Sequence, residues 1–212
     1  MYRQAIKTKF ERCKFVTLFF IVTLALTACG GGGSSDGAGI DESGLLTGVV
    51  AIGDSIGNGF GIATPWPTLI QNSIPVPVNN TSVTDMQTDF GVSVIEGLIQ
   101  ANNPSHVLIL LGTNDAIRGS VPAAISNLQA MVNIANANNV IAVVGTVPPI
   151  PANSVYDGRA AQISDGIRGL SGATIAEVRG ALGDGMGLFP DGIHPNTTGQ
   201  QIIADAYLAV FP

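Results

Sequence analysis

From Gly44 onward, short runs of β-branched and other apolar residues alternate with stretches whose apolar positions recur about every 3.6 residues. That alternation is the pattern of a parallel sheet covered by helices. Five strands are predicted, at Gly48–Ile52, Val76–Asn80, Val107–Leu111, Val140–Thr146 and Ala173–Val178. Each is brief and almost continuously apolar, as strands buried on both faces are. Helical faces are predicted between and after them. Gly91, Val94, Ile95 and Leu98 fall at i, i+3, i+4 and i+7, and so do Ile203, Ala206, Tyr207 and Val210. Ile125, Leu128, Val132 and Ala135 fall at i, i+3, i+7 and i+10, as do Ala160, Ile163, Ile167 and Leu170. Trp66 stands where a helix opens behind Pro67 and is read as a packing residue. The expected architecture is an α/β fold, a three-layer α/β/α domain with a five-stranded parallel sheet in the flavodoxin-like order 2-1-3-4-5. Ligands of such sheets collect at the carboxyl ends of the strands, near the switch point between the first and third.

The first 43 residues follow no such pattern. A basic leader, MYRQAIKTKFERCK, precedes an apolar stretch that closes on Ala28 and Cys29. This is the pattern of a secretory signal peptide. The apolar stretch is short of the roughly 20 residues a membrane-spanning helix needs. Leu26-Thr27-Ala28-Cys29 resembles the bacterial lipobox, which implies cleavage before Cys29 and a lipid on its sulfur. An ordinary signal peptide or an uncleaved anchor is the alternative. Gly30–Gly39 has almost no side chain to bury and is expected to act as a flexible tether, reaching on the order of 20 Å. The expected organisation is thus a signal peptide over 1–28, a lipidated Cys29 and tether over 29–43, and one domain over 44–212. The expected location is the cell envelope, with the outer membrane favoured because Gly30 follows Cys29.

Charge narrows the function. Without residues 1–28, four basic residues (Arg118, Arg159, Arg168, Arg179) face fourteen acidic ones, a net charge of −10. Such a domain has no basic stripe to neutralise phosphates, which argues against nucleic acid as a partner. Lysine is absent after Lys14, which removes Schiff-base chemistry and lysine-dependent phosphate loops. Beyond Cys13 and Cys29 there is no thiol for a disulfide or a nucleophile, and His106 and His194 are the only imidazoles.

The residues able to do chemistry fall just after predicted strands. Ser55 lies in Gly53-Asp54-Ser55-Ile56-Gly57-Asn58-Gly59, after the first. By itself a serine there is most often a turn residue or helix cap. Asn114 lies in Gly112-Thr113-Asn114-Asp115, after the third, where its amide can donate to an oxygen that gains negative charge. Closing an Asx-type turn is the ordinary alternative. Near the end, Asp191-Gly192-Ile193-His194 places an acid three residues before an imidazole, ahead of a helix capped by Asn196. If the carboxylate accepts one ring N–H, the other ring nitrogen is left to accept a serine proton. A metal held by Asp191 and His194 competes with this reading, but no third ligand is evident. A purely structural turn is the other alternative. Asp54 is expected to brace its loop, Asp115 to order the turn around Asn114, and His106, at the far end of the sheet, to be structural.

Taken in order, Gly-Asp-Ser at 53–55, Gly-x-Asn-Asp at 112–115 and Asp-x-x-His at 191–194 resemble the blocks of the SGNH, or GDSL, hydrolase family. The resemblance implies a serine ester hydrolase without cofactor, with Ser55 as nucleophile, His194 as general base and then acid, and Asp191 as its orienting carboxylate. It also implies Asn114 and the Ser55 backbone amide as oxyanion donors. The family's second block offers a glycine N–H as a further donor, and here Asp85 stands in the glycine's place. Its backbone N–H remains, but a carboxylate near a developing oxyanion opposes it unless it points away. Lysophospholipids and short acyl or acetyl esters are the implied substrates. A catalytically weakened lipoprotein that binds acylated glycans or lipids is the alternative that Asp85 favours.

Overall fold

In this computed structural model, which describes residues 46–61 and 64–211, five strands lie parallel in the order β2-β1-β3-β4-β5. They are β1 (Val49–Gly53), β2 (Val78–Asn80), β3 (His106–Leu110), β4 (Ile141–Gly145) and β5 (Thr174–Ala176). The expected leader over 1–28, Cys29 and the tether over 29–43 lie outside the described residues. Each predicted strand is present within two residues, and β5 stops at Ala176 because Glu177 and Val178 begin a helical turn. In register, Val49 stands beside Val78 of β2 and His106 of β3, so the first three strands start at a common level, and β1 and β3 end together at Gly53 and Leu110.

The alternation of side chains along each strand divides the interior into two layers. Val50, Ile52, Val107, Ile109, Ala142 and Val144 face α3 (Thr88–Asn102), α5 (Val121–Ala137) and α6 (Ser154–Arg168). Val49, Ala51, Leu108, Leu110, Val143 and Ala176 face α1 (Ser55–Asn58), α2 (Trp66–Gln71), α7 (Val178–Leu182) and α8 (Thr197–Leu208). The short α4 (Thr113–Arg118) follows β3. Because both faces are covered, strand sequences carry no polar alternation.

Two helical faces differ in detail from the periodic reading. On α3 the buried line is Gly91, Ile95 and Ile99, and Val94 sits half-exposed at its edge. On α8 the buried residues are Ile203, Ala204 and Tyr207, whereas Val210 lies past the helix end and is exposed. Four-residue spacing selects the tighter contact once a helix lies flat on a sheet. Trp66 is fully buried and stacks on Tyr207 at 4.7 Å, as a packing residue does. Tyr207 in turn donates its hydroxyl to the Ile109 carbonyl at 2.6 Å, so α8 is tied to the middle of the sheet.

Candidate active site

Ser55 opens α1 directly at the carboxyl end of β1. The Asp54 carboxylate caps that turn by accepting the Ile56 N–H at 2.9 Å, which aims the Ser55 side chain out of the sheet's edge. The segment after β2 then clamps the turn. Val83 N–H donates to Gly53 O at 3.0 Å, Asn80 Nδ2 to Gly57 O at 2.8 Å, and Asn58 Nδ2 to Ser82 O at 3.2 Å. Gly57 is required here because a Cβ would lie 2.3 Å from Ser82 Oγ.

The other half of the site is the loop between α7 and α8. The Asp191 Oδ1 atom accepts the Ile193 and His194 backbone N–H groups at 2.9 and 2.7 Å, so the acid folds its own loop. Its Oδ2 lies 2.6 Å from His194 Nδ1, and His194 Nε2 lies 2.9 Å from Ser55 Oγ. With the Nδ1 proton donated to Asp191, Nε2 is free to accept the serine proton. The structure therefore brings Ser55, His194 and Asp191 into one continuous hydrogen-bonded line across 139 positions of sequence. Burial raises the Asp191 carboxyl, but the His194 backbone and ring N–H groups and the Ile193 N–H outweigh it and hold it at about 2.

Asn114 and Asp115 begin α4, at the carboxyl end of the neighbouring strand. Asn114 Nδ2 donates to Met86 O at 3.0 Å and lies 3.5 Å from Asp54 Oδ2, which holds the amide beside the serine turn. Asp54 is fully buried, and burial raises its carboxyl to about 6 against the lowering pull of the Ile56 N–H and His194. Bracing of the loop by Asp54 is thus realised. Asp115 differs from expectation. Its carboxylate accepts the Thr88 N–H at 3.1 Å and the Thr88 hydroxyl at 2.7 Å, so it pins the start of α3 rather than ordering its own turn. The acid supplies the cap that Gln87, the residue before α3, does not. Burial raises the Asp115 carboxyl, opposed by those Thr88 bonds.

Asp85 adopts φ +66°, a left-handed conformation natural to the glycine whose place it takes. Its side chain is exposed and its Oδ1 lies 3.5 Å from Arg118 Nη1, while its carbonyl accepts from Arg118 Nη2. The carboxylate thus faces a guanidinium at the end of α4. Among the described residues no acceptor takes the Asp85 backbone N–H. His106 begins β3, at the opposite end of the sheet, where its Nδ1 lies 3.0 Å from Ser105 Oγ and burial lowers its pKa. Among the described residues, no group of three or more histidine, cysteine or acidic side chains is placed to hold a metal ion.

The model of the GDSL-like lipase/acylhydrolase family matches residues 51–202, a span that takes in Ser55, Asn114, Asp191 and His194. The chain belongs to that family. An arylesterase from Vibrio mimicus is 32% identical over 111 residues, which cover 48% of this chain and 56% of that protein. The match therefore spans little more than half of the relative. Among solved structures, a lipolytic G-D-S-L family protein from Veillonella parvula superposes with a TM-score of 0.70 at 19% identity, covering 78% of this chain and 98% of that one. An acetylxylan esterase from Geobacillus stearothermophilus superposes at 0.69 with 15% identity, covering 82% and 95%. At these identities the likeness is one of fold, and it matches the three-layer reading of the GDSL domain.

Three contributors to the site are absent from the sequence reading. Gln200, buried on α8, accepts the Trp66 N–H at 2.9 Å and donates to Ile56 O at 3.0 Å, tying the helix that follows the histidine loop to the serine's turn. Arg118 was one exposed cation among four. Phe60 follows the serine turn, its N–H donating to Ser55 O at 3.0 Å, and its ring lies 4.5 Å from that of His194. A buried glutamine inside an apolar helix is a signal that could have been noticed; the other two are visible only in three dimensions.

Proposed function

We propose that this GDSL family member hydrolyses carboxylic esters by two-step acyl transfer on Ser55. The observation that carries the proposal is the unbroken line Asp191–His194–Ser55, at 2.6 and 2.9 Å. As Ser55 Oγ bonds to the ester carbonyl carbon, its proton passes to His194 Nε2 and the carbonyl oxygen takes the negative charge. The Asn114 amide and the backbone N–H groups of Ser55 and Asp85 are the candidate donors to that oxygen. The carbon–oxygen bond to the alcohol then breaks, and His194 returns the proton to the departing oxygen. Water enters, gives its proton to His194 and attacks the acyl carbon; Ser55 leaves with that proton, releasing the carboxylic acid. Asp191, ionised across the working range, keeps the ring oriented and stabilises its charged form.

Short acyl, acetyl and lysophospholipid esters are the proposed substrates. The protein is proposed to act in the cell envelope, anchored through a lipid on Cys29. The reading as a weakened binding protein loses its main support in Arg118, which faces the Asp85 carboxylate and offsets its charge. The test is hydrolysis of p-nitrophenyl acetate, butyrate and octanoate by the full chain beside Ser55→Ala. Turnover is expected to fall about a million-fold in the variant with folding intact. Activity that persists without Ser55, or a folded parent that cleaves none of the three, overturns the proposal.

A further inference from the structure

The segment that leaves β4, residues 146–153, reads TVPPIPAN, and its three prolines leave it few backbone donors. Of those that remain, Ile150 N–H donates to Asp157 Oδ1 at 2.9 Å and Ala152 N–H donates to Gly192 O at 3.2 Å. The second bond reaches the loop that carries Asp191 and His194. Ala152 also lies so close to Gly192 that a Cβ on the glycine would meet the Ala152 Cβ at 2.4 Å. The proline segment is therefore a shelf on which the acid–histidine loop rests.

One ion pair fixes the shelf from its other side. Asp157 lies in the first turn of α6 and Arg179 near the start of α7, and Arg179 Nη2 lies 2.9 Å from each Asp157 oxygen. Arg179 Nη1 donates to Pro148 O at 3.3 Å, and the Arg179 backbone N–H to Thr146 Oγ1 at 2.9 Å. The pair thus grips the shelf at Thr146, Pro148 and Ile150. With side chains 18% and 35% exposed, it is the most buried arginine–carboxylate pair among the described residues, so solvent screens it least.

We infer that Arg179 and Asp157 are positioning residues for hydrolysis, which through the proline shelf hold the Asp191–His194 loop at the height where His194 reaches Ser55. The inference rests on the acyl-transfer reading above. The side chains of the pair bond to the shelf and to each other, not to Ser55, Asp191 or His194, so their effect passes through backbone. Proline stiffens that backbone, and a shift at one end is carried to the other rather than absorbed. A misplaced imidazole slows proton transfer without altering how an ester binds, so the effect falls on kcat.

The full chain, Arg179→Gln, Asp157→Asn and the double variant are assayed on p-nitrophenyl acetate, with kcat expressed per folded molecule from urea unfolding. Each variant is expected to lose roughly 10- to 100-fold in kcat with KM changed less than about twofold. The double variant is expected to be no worse than the weaker single one, because the two residues act as one unit. It leaves neither charge without its partner and so answers the question where a single variant does not fold. A second readout is the His194 Nδ1 proton, which in a short bond to a carboxylate resonates downfield of the amides in proton NMR. The other imidazole, His106, faces Ser105 Oγ instead, and loss of the signal in His194→Ala assigns it. In the pair variants the signal is expected to broaden or vanish while the amide signals stay dispersed. Lower stability with kcat per folded molecule and the downfield signal as in the parent would limit the pair to structure and overturn the inference. Additive losses, or a raised KM with kcat intact, overturn it too. Ser55→Ala is run alongside: hydrolysis surviving there sinks the acyl-transfer reading, whereas Ser55-dependent hydrolysis indifferent to Arg179 and Asp157 sinks the positioning role alone.

Discussion

Arg118 grips Asp85 at two points, its Nη2 on the carbonyl and its Nη1 3.5 Å from the carboxylate, at the mouth beside Asn114. The pair lets an aspartate occupy a left-handed position next to a developing negative charge. Loss of the guanidinium frees the carboxylate and loosens the backbone that carries a candidate oxyanion donor. Arg118→Gln is expected to lower kcat about tenfold with little change in KM, a fraction of the 100-fold or more that loss of a whole donor costs. Asp85→Gly keeps the backbone conformation and removes the charge, so it is expected to recover part of that loss in the double variant. Steady-state kinetics of the four proteins decide the matter; additive effects would show that the two residues act independently.

Asp54 is buried at the foot of the site with its carboxyl raised to about 6, and His194 and Asp115 are the charged groups that couple to it. The sign follows from proton counts. Between the unfolded value of 3.8 and about 6, the folded protein binds the extra proton, so stability rises as pH falls through that window. Above it the buried charge costs about 3 kcal/mol. Asp54→Asn is therefore expected to be more stable than the parent at pH 8, with the difference gone near pH 4, while kcat drops about tenfold as Asn114 loses its charged neighbour. Urea unfolding at the two pH values tests the first part, and a gain that is the same at both refutes it.

Gln200 links α8 to α1 and α2 through two buried hydrogen bonds. Gln200→Leu leaves the Trp66 N–H and the Ile56 carbonyl without partners, at a cost of about 2–4 kcal/mol. Because the same bonds hold the His194 loop against the Ser55 turn, kcat is expected to fall more than the unfolded fraction explains. Chemical denaturation together with active-site titration separates the two effects. A variant that is destabilised but fully active per folded molecule would limit Gln200 to packing.

Gly192 sits between Asp191 and Ile193 at φ +79°, and a Cβ there would meet the Ala152 Cβ at 2.4 Å. Gly192→Ala is expected to displace the loop and separate Asp191 from His194. Turnover should drop at least 100-fold while the thermal midpoint moves by only a few degrees, since Gly192 itself belongs to neither core layer. Circular dichroism melting and ester hydrolysis measured on one preparation check this, and near-normal turnover would show that the loop absorbs the methyl group.

The parallel sheet, its strand order and the residues brought together at its mouth were legible in the chain itself. Continuous apolar runs such as Val107–Leu110 can satisfy their side chains only between two helical layers, and Ser55 and Asn114 follow strand ends that the sheet must align. Asp191 and His194 are also close in sequence, so their pairing is a local matter of one glycine-containing turn. Relations between distant segments were not legible. Asp115 looked like a local turn former until the tertiary structure put Thr88, the first residue of α3, within its reach, 27 positions away. Phe60, Arg118 and Gln200 each act on a residue far along the chain, and neither periodicity nor motif spacing records which exposed arginine or which buried amide meets which loop. That choice is made by how the helices settle on the sheet, where shape and burial, summed over the whole interior, set distances that no local pattern encodes.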